Sequence, residues 1–98
     1  MTPRFSNATA IGVAGAGTMG SGIALVAAAA GHSVVLFDSF PGAIDRARAA
    51  HAGTYQKLIE KGKITADEST AILSRIVYTD QPKDLVDSGL IIEAIVED

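Results

Sequence analysis

Three glycines and one carboxylate are the residues of this chain best suited to chemistry. Gly15, Gly17 and Gly20 form a G-x-G-x-x-G, and Asp38 follows 18 residues after the last of them. These residue types suit a ligand that carries a pyrophosphate and a ribose. Gly15 permits a tight turn, Gly17 has no side chain to hold a phosphate off the backbone, and Gly20 lets the next helix lie close to the sheet. Ala16, Thr18 and Met19 complete the cofactor-binding loop. A helix starting there would offer free N–H groups and a positive dipole end to the phosphates. Asp38 would accept hydrogen bonds from the adenosine ribose hydroxyls, and its charge would oppose a 2′-phosphate. Ser39 and Phe40 follow it, with no arginine directly after the acid to reverse that choice, so NAD is favoured over NADP. Capping of the following helix is a second role that Asp38 can hold at the same time.

The glycines carry this meaning only in the right setting. A lone G-x-G-x-x-G is weak evidence; between a strand and a helix, with an acid closing the next strand, it is a dinucleotide-binding fingerprint. That setting is legible here. Residues 10 to 15 are small and apolar on both faces, as in a central parallel strand covered by helices. Thr18 to Ala30 reads as an alanine-rich helix stopped by Gly31, and Ser33 to Asp38 as a β-branched second strand. Pro41-Gly42 opens a long helix to about Lys61, whose Ile44, Ala47, His51, Tyr55 and Leu58 share one face. Gly62 ends it, and Thr65 with Glu68 forms a capping box for another helix through Ser74. Strand three is expected at Ile76–Thr79, a short helix from Pro82 to about Asp87, and strand four at Leu90–Val96.

This order predicts an α/β fold, a Rossmann-type parallel sheet with strand order 3-2-1-4 and right-handed crossovers. The connection from Ser39 to Arg75 spans 37 residues and holds two helices, so a helical pair is expected to project between strands two and three. The chain reverses direction between strands one and four, and ligands bind beyond the carboxyl ends of strands at such a switch point. Ala94 and Glu97, at the end of strand four, would then border the nicotinamide half of the cofactor. Glu97 either hydrogen-bonds the nicotinamide end or its ribose, or is a solvated acid after a strand.

Composition narrows the class. A chain of 98 residues suits one domain, and a domain of this size buries roughly two thirds of the surface its unfolded form exposes. The net charge of -3, without a basic cluster, argues against nucleic acid and against a polybasic membrane contact. No cysteine is present, which removes disulfides and thiolate metal sites and makes a reducing cytoplasm the natural compartment. No metal site is expected. Residues 11 to 37 carry no charge, but six glycines and a His32-Ser33 break divide them into buried strand, helix and strand rather than a membrane span.

The strings GAGTMGSGIA at 15 to 24, AAGHSVVLFD at 29 to 38, LIEKGKIT at 58 to 65 and IIEAIVED at 91 to 98 together resemble the N-terminal part of the NAD-dependent L-3-hydroxyacyl-CoA dehydrogenases. The resemblance runs from about Ala10 to Asp98. It implies oxidation of the 3-hydroxyl of a (3S)-3-hydroxyacyl-CoA to a ketone, with hydride passing to NAD, as in β-oxidation. It also implies coenzyme A contacts from Thr54 and Lys61, seven residues apart on one helical face. Without the resemblance these positions read as a solvated helix surface.

Alcohol oxidation needs a base, most often histidine. Of the two histidines, His32 precedes strand two at the amino end of the sheet, and His51 lies on the apolar stripe of the long helix, where packing is expected. The family's catalytic residues match nothing before Asp98. The expectation is therefore a truncated NAD-binding domain over 1–98, inactive alone, without the C-terminal catalytic and dimerisation domain. A homo-oligomer formed through an exposed strand-four edge is also expected. The alternatives are a related hydroxy-acid dehydrogenase of the same fold and a non-catalytic NAD-sensing module.

Overall fold

Short apolar runs bounded by glycine and polar turns form four parallel strands. The computed structural model describes residues 10–86 and 88–94. The strands are β1 (Ile11–Ala14), β2 (Val34–Phe37), β3 (Ile76–Thr79) and β4 (Leu90–Glu93), in the order β3-β2-β1-β4. The expected sheet order is thus observed. In register, Val13 lies between Leu36 of β2 and Ile92 of β4. Val13, Val34 and Leu36 are fully buried and form the centre of the core.

Three helices fill the crossovers: α1 (Thr18–Ala29), α2 (Ala43–Glu60) and α3 (Ala66–Leu73). In α1 the buried residues are Gly20, Ala24 and Ala28, one small residue every fourth position. That spacing makes a flat stripe on which the helix can approach the sheet closely. Gly31, with φ 102°, takes the left-handed conformation that ends α1, and the Gly31 and His32 N–H groups bond back to the Ala28 and Ala27 carbonyls. Arg75, between α3 and β3, donates to the Ala28 carbonyl at 2.6 Å. A cation at a helix C-terminus complements the dipole there.

The buried face of α2 is Ala43, Ala47, His51 and Tyr55, with Ile44 and Leu58 half-buried, which matches the stripe read from the spacing. Its 18 residues span about 27 Å, whereas a four-residue strand spans about 13 Å. Past Tyr55 the residues Gln56, Lys57, Glu60 and Lys61 are exposed. The capping box at Thr65 and Glu68 is fully formed: each side chain accepts from the other residue's backbone N–H.

Two expected boundaries differ. The segment at Pro82 is a single 3-10 turn, Pro82–Leu85, rather than a helix to Asp87. Its bonds run three residues back, from Asp84 to Gln81 and from Val86 to Lys83, and Asp87 is outside the described residues. Strand β4 is described only to Glu93, followed by buried Ala94; residues 95–98 are also outside the described residues. Among the described residues no helix is long and apolar enough to cross a membrane, so the uncharged run at 11 to 37 is strand, helix and strand.

Candidate functional site

The site starts where β1 ends. Gly15 has φ 114°, a conformation that disfavours any side chain, and its N–H donates to the Phe37 carbonyl of β2 at 2.7 Å. The chain then turns sharply into α1. A Cβ on Gly20 would lie 1.6 Å from the Gly15 carbonyl oxygen, so the first turn of α1 rests directly on the turn that precedes it. Ala94 closes the other side: it is buried, its N–H donates to Ala14, and its Cβ is 3.4 Å from the same Gly20 position.

Gly17 differs from both. Its φ of -71° is ordinary for any residue, and a Cβ there would meet nothing within 4 Å. Neither its backbone nor packing among the described residues requires glycine at this position. The space it leaves open faces a groove of about 490 Å³ lined by Gly15, Ala16, Gly17, Thr18, Met19, Asp38, Phe40, Arg46 and Ala94. Gly17 is also the N-cap of α1. It supplies no side-chain cap, and the first turn contains no acid. The α1 terminus therefore presents its N–H groups and positive dipole end to the groove without a carboxylate of its own, which suits an anion. The residues present fit a pyrophosphate.

Asp38 sits at the groove wall, just beyond β2. Its Oδ2 accepts from the Ala16 N–H and its Oδ1 from the Phe40 N–H, both at 2.8 Å. The first bond ties the end of β2 to the glycine turn; the second is a local turn that leads into α2. Each carboxylate oxygen retains a lone pair for a ribose hydroxyl. The structural and the binding role of this acid therefore coincide. Thr18 and Met19 are exposed in the first turn of α1.

A second groove of about 450 Å³ runs between α1 and α2 and is lined by Thr18, Ser21, Gly22, Arg46, His51 and Thr54 among others. Thr54 thus reaches a groove wall. Lys61 does not line this groove: it is the exposed C-cap of α2, about 10 Å further along the axis. Glu97 is outside the described residues. Among the described residues no group of three or more His, Asp or Glu side chains could hold a metal ion.

His51 is 2 % exposed, and both ring nitrogens are engaged. Nε2 lies 2.9 Å from the Ser21 carbonyl oxygen and Nδ1 lies 2.7 Å from the Tyr78 hydroxyl. A carbonyl can only accept, so Nε2 carries the proton; neutral His51 then accepts at Nδ1 from the Tyr78 O–H. The Ser21 hydroxyl donates to the Ala16 carbonyl, so this network connects β3 and α2 to the glycine turn. Burial lowers the His51 pKa, and the Ser21 bond opposes that only partly. The histidine is packed, as its place on the apolar stripe suggested, but its partners were not legible in the sequence, and neither was Arg46 in the groove. His51→Ala is expected to destabilise the chain by about 2–3 kcal/mol, through a cavity and two unpartnered polar groups. The pH dependence has a definite sign. A depressed histidine pKa contributes stability that is present above the ordinary value of 6.5 and is lost as pH falls through the lower folded value. Thermal melts between pH 7 and 5 should therefore fall more steeply for the parent than for His51→Ala; parallel curves would contradict the neutral assignment.

Comparison with known proteins agrees with this geometry. Residues 10–98 match the family described as 3-hydroxyacyl-CoA dehydrogenase, NAD binding domain. A 3-hydroxybutyryl-CoA dehydrogenase of Clostridioides difficile is 44% identical over 88 residues, which cover 90% of this chain and 31% of that protein. The crystal structure of FadB2 from M. tuberculosis matches with a TM-score of 0.87 at 38% identity, over 95% of this chain and 33% of that one. That of (S)-3-hydroxybutyryl-CoA dehydrogenase PaaH1 from Ralstonia eutropha matches with a TM-score of 0.86 at 35% identity, over 93% and 32%. The chain spans about a third of the length of these relatives. With the glycine turn, the Asp38 carboxylate and the sheet order in place, the family model settles the assignment: the chain belongs to the NAD-binding domain family of the 3-hydroxyacyl-CoA dehydrogenases.

Proposed function

We propose that this chain is the cofactor-binding part of an enzyme that oxidises the 3-hydroxyl of a (3S)-3-hydroxyacyl-CoA to 3-ketoacyl-CoA. NAD, when bound, supplies the hydride acceptor. The chain's own residues bind and orient. The turn from Gly15 to Gly20 and the N-terminus of α1 hold the pyrophosphate, with Ala16, Thr18 and Met19 around it. Asp38 takes the adenosine ribose hydroxyls, and Ala94, with Glu97 beyond it, borders the nicotinamide half. Thr54 and Lys61 on the outer part of α2 are the proposed coenzyme A contacts. The observation that carries the reading is the open space in front of Gly17, a position where nothing among the described residues demands glycine.

Among the described residues neither histidine offers a base for the hydroxyl proton at the groove. His51 is buried with both nitrogens engaged, and His32 lies at the amino end of the sheet. Residues 1–98 by themselves should therefore bind cofactor without turning over 3-hydroxybutyryl-CoA. Its work belongs to β-oxidation of acyl-CoA thioesters, in the cytoplasm, where a cysteine-free chain is at home.

Asp38 supplies the test. Asp38→Ala should weaken NADH binding by about tenfold or more, the usual range for losing a charge-assisted hydrogen bond. Calorimetry that returns the same affinity for parent and variant would remove the ribose role. A further proposal concerns assembly. β4 is an outer strand of the described sheet and Ile91 is 49 % exposed, so copies of the chain should associate along this edge. Sedimentation at high concentration should give a dimer or larger species, and a clean monomer would contradict it.

A further inference from the structure

Ser21, one turn into α1, grips the glycine turn from behind. Its N–H donates to the Gly17 carbonyl and its hydroxyl to the Ala16 carbonyl, both at 2.9 Å. The Ala16 carbonyl and the Gly17 N–H belong to one planar trans peptide unit, so they point in opposite directions. A hydroxyl that fixes the carbonyl therefore also aims the Gly17 N–H, one of the free donors at the start of α1. Glycine at 17 leaves room for a ligand, but it also eases rotation of this peptide unit. The Ser21 hydroxyl opposes that rotation. Ser21 is held in turn from α2, because its own carbonyl accepts from His51 Nε2. The His51 and Tyr78 rings lie 5.6 Å apart with their planes at 48°, and the Arg48 guanidinium sits 4.9 Å from the centre of the Tyr78 ring. Burial raises the Tyr78 pKa, so its hydroxyl keeps the proton that it donates to His51 Nδ1. Leucine at 51 would suit the apolar stripe of α2 equally well. An imidazole bonded at both nitrogens has one orientation, and a fully satisfied network of this kind rigidifies what it joins.

We infer that Ser21 and His51 are positioning residues, which aim the Gly17 N–H at the pyrophosphate from outside the cofactor groove. The inference rests on the NAD reading given above and adds side chains that act on the turn without touching the cofactor. Both line the second groove and not the main one. His51 acts through Ser21, and Ser21 acts through the peptide unit between Ala16 and Gly17. With Asp38 on the Ala16 N–H and Ser21 on the Ala16 carbonyl, both polar groups of that residue are fixed, one from beyond β2 and one from α1.

The test is a calorimetric titration of NADH, at a temperature where thermal melts show every variant folded. The variants are Ser21→Ala, Ser21→Thr, His51→Leu, the double variant Ser21→Ala/His51→Leu, and Leu73→Ala. Leu73 packs on the core from α3 and touches neither groove, so its truncation is the control for lost stability alone. Affinity should fall about tenfold in Ser21→Ala and about fivefold in His51→Leu, within the range for residues that couple to a site they do not contact. Ser21→Thr, which keeps the hydroxyl, should restore binding to within about twofold of the parent. The double variant should lose little more than Ser21→Ala, because both side chains act along one path. Leu73→Ala should melt lower with its affinity unchanged. Tyr78→Phe keeps the ring and removes only the hydroxyl, and should lose about twofold; with Ser21→Ala it keeps the path testable if His51→Leu does not fold. Parent-like affinity in Ser21→Ala, no rescue by Ser21→Thr, or losses that multiply in the double variant would overturn the positioning role while leaving the NAD reading intact. A parent chain that binds no NADH would overturn both together.

Discussion

Gly20→Ala should strongly destabilise the fold of this chain. The added methyl would lie 1.6 Å from the Gly15 carbonyl oxygen and 2.8 Å from its carbon, both backbone atoms that cannot swing aside. Relief would require α1 to lift off the turn. That movement would separate Gly20, Ala24 and Ala28 from the core they fill, and Ala94 from its place beside them. Overpacking of this kind costs about 3 kcal/mol or more when backbone is the obstacle. The whole stability of a small domain is only about 5–10 kcal/mol. Gly22→Ala is the matched control. Gly22 lies in the same helix, a Cβ there meets nothing, and the substitution should stabilise α1 by about 0.5–1 kcal/mol. Circular dichroism melts of the two variants should move in opposite directions; a Gly20→Ala chain that melts like the parent would show that the turn and α1 are not packed as described.

Gly17→Ala should do the reverse: leave the fold alone and remove the ligand. The position has an ordinary φ and open space around it, so the melting temperature should stay within a degree or two of the parent. The methyl would instead project toward the groove, where a pyrophosphate must approach the N–H groups of α1. Losing even two hydrogen bonds to a charged ligand at about 1.5–3 kcal/mol each corresponds to a hundredfold or greater fall in NADH affinity. An unchanged affinity would mean that the anion does not sit at Gly17. Together the two glycines separate what the motif does for the protein from what it does for the ligand, although both belong to one six-residue string.

The local features of this fold were legible in the sequence because local chemistry determines them. The capping box needs only Thr65 and Glu68, three residues apart, and the bounds of β3 follow from an apolar run between Arg75 and Asp80. Gly31 and Gly62 end helices for a reason internal to each turn, and both have positive φ. What was not legible depends on elements meeting in space. Asp38 reaches the Ala16 N–H across 22 residues, His51 reaches Ser21 across 30 and Tyr78 across 27, and Arg75 reaches Ala28 across 47. The periodicity of α2 placed His51 on the buried face. A buried imidazole must satisfy two nitrogens, and that requirement was the available signal that a hydroxyl such as Tyr78 lay nearby. Arg46 gave no such signal. It looks like a solvated helix residue until α2 is docked beside the glycine turn. The shared face of Thr54 and Lys61 follows from their spacing, but Thr54 reaches a groove while Lys61 lies at the helix end, because α2 outlasts the layer it packs on.

The most direct measurement is a calorimetric titration of NADH and of NADPH into the 98-residue chain. The groove formed by the glycine turn, Asp38 and Ala94 predicts one NADH per chain, with NADPH weaker by about tenfold, a difference of about 1.4 kcal/mol, because its 2′-phosphate meets the Asp38 carboxylate. Binding of neither nucleotide, or NADPH binding as tightly as NADH, would contradict it.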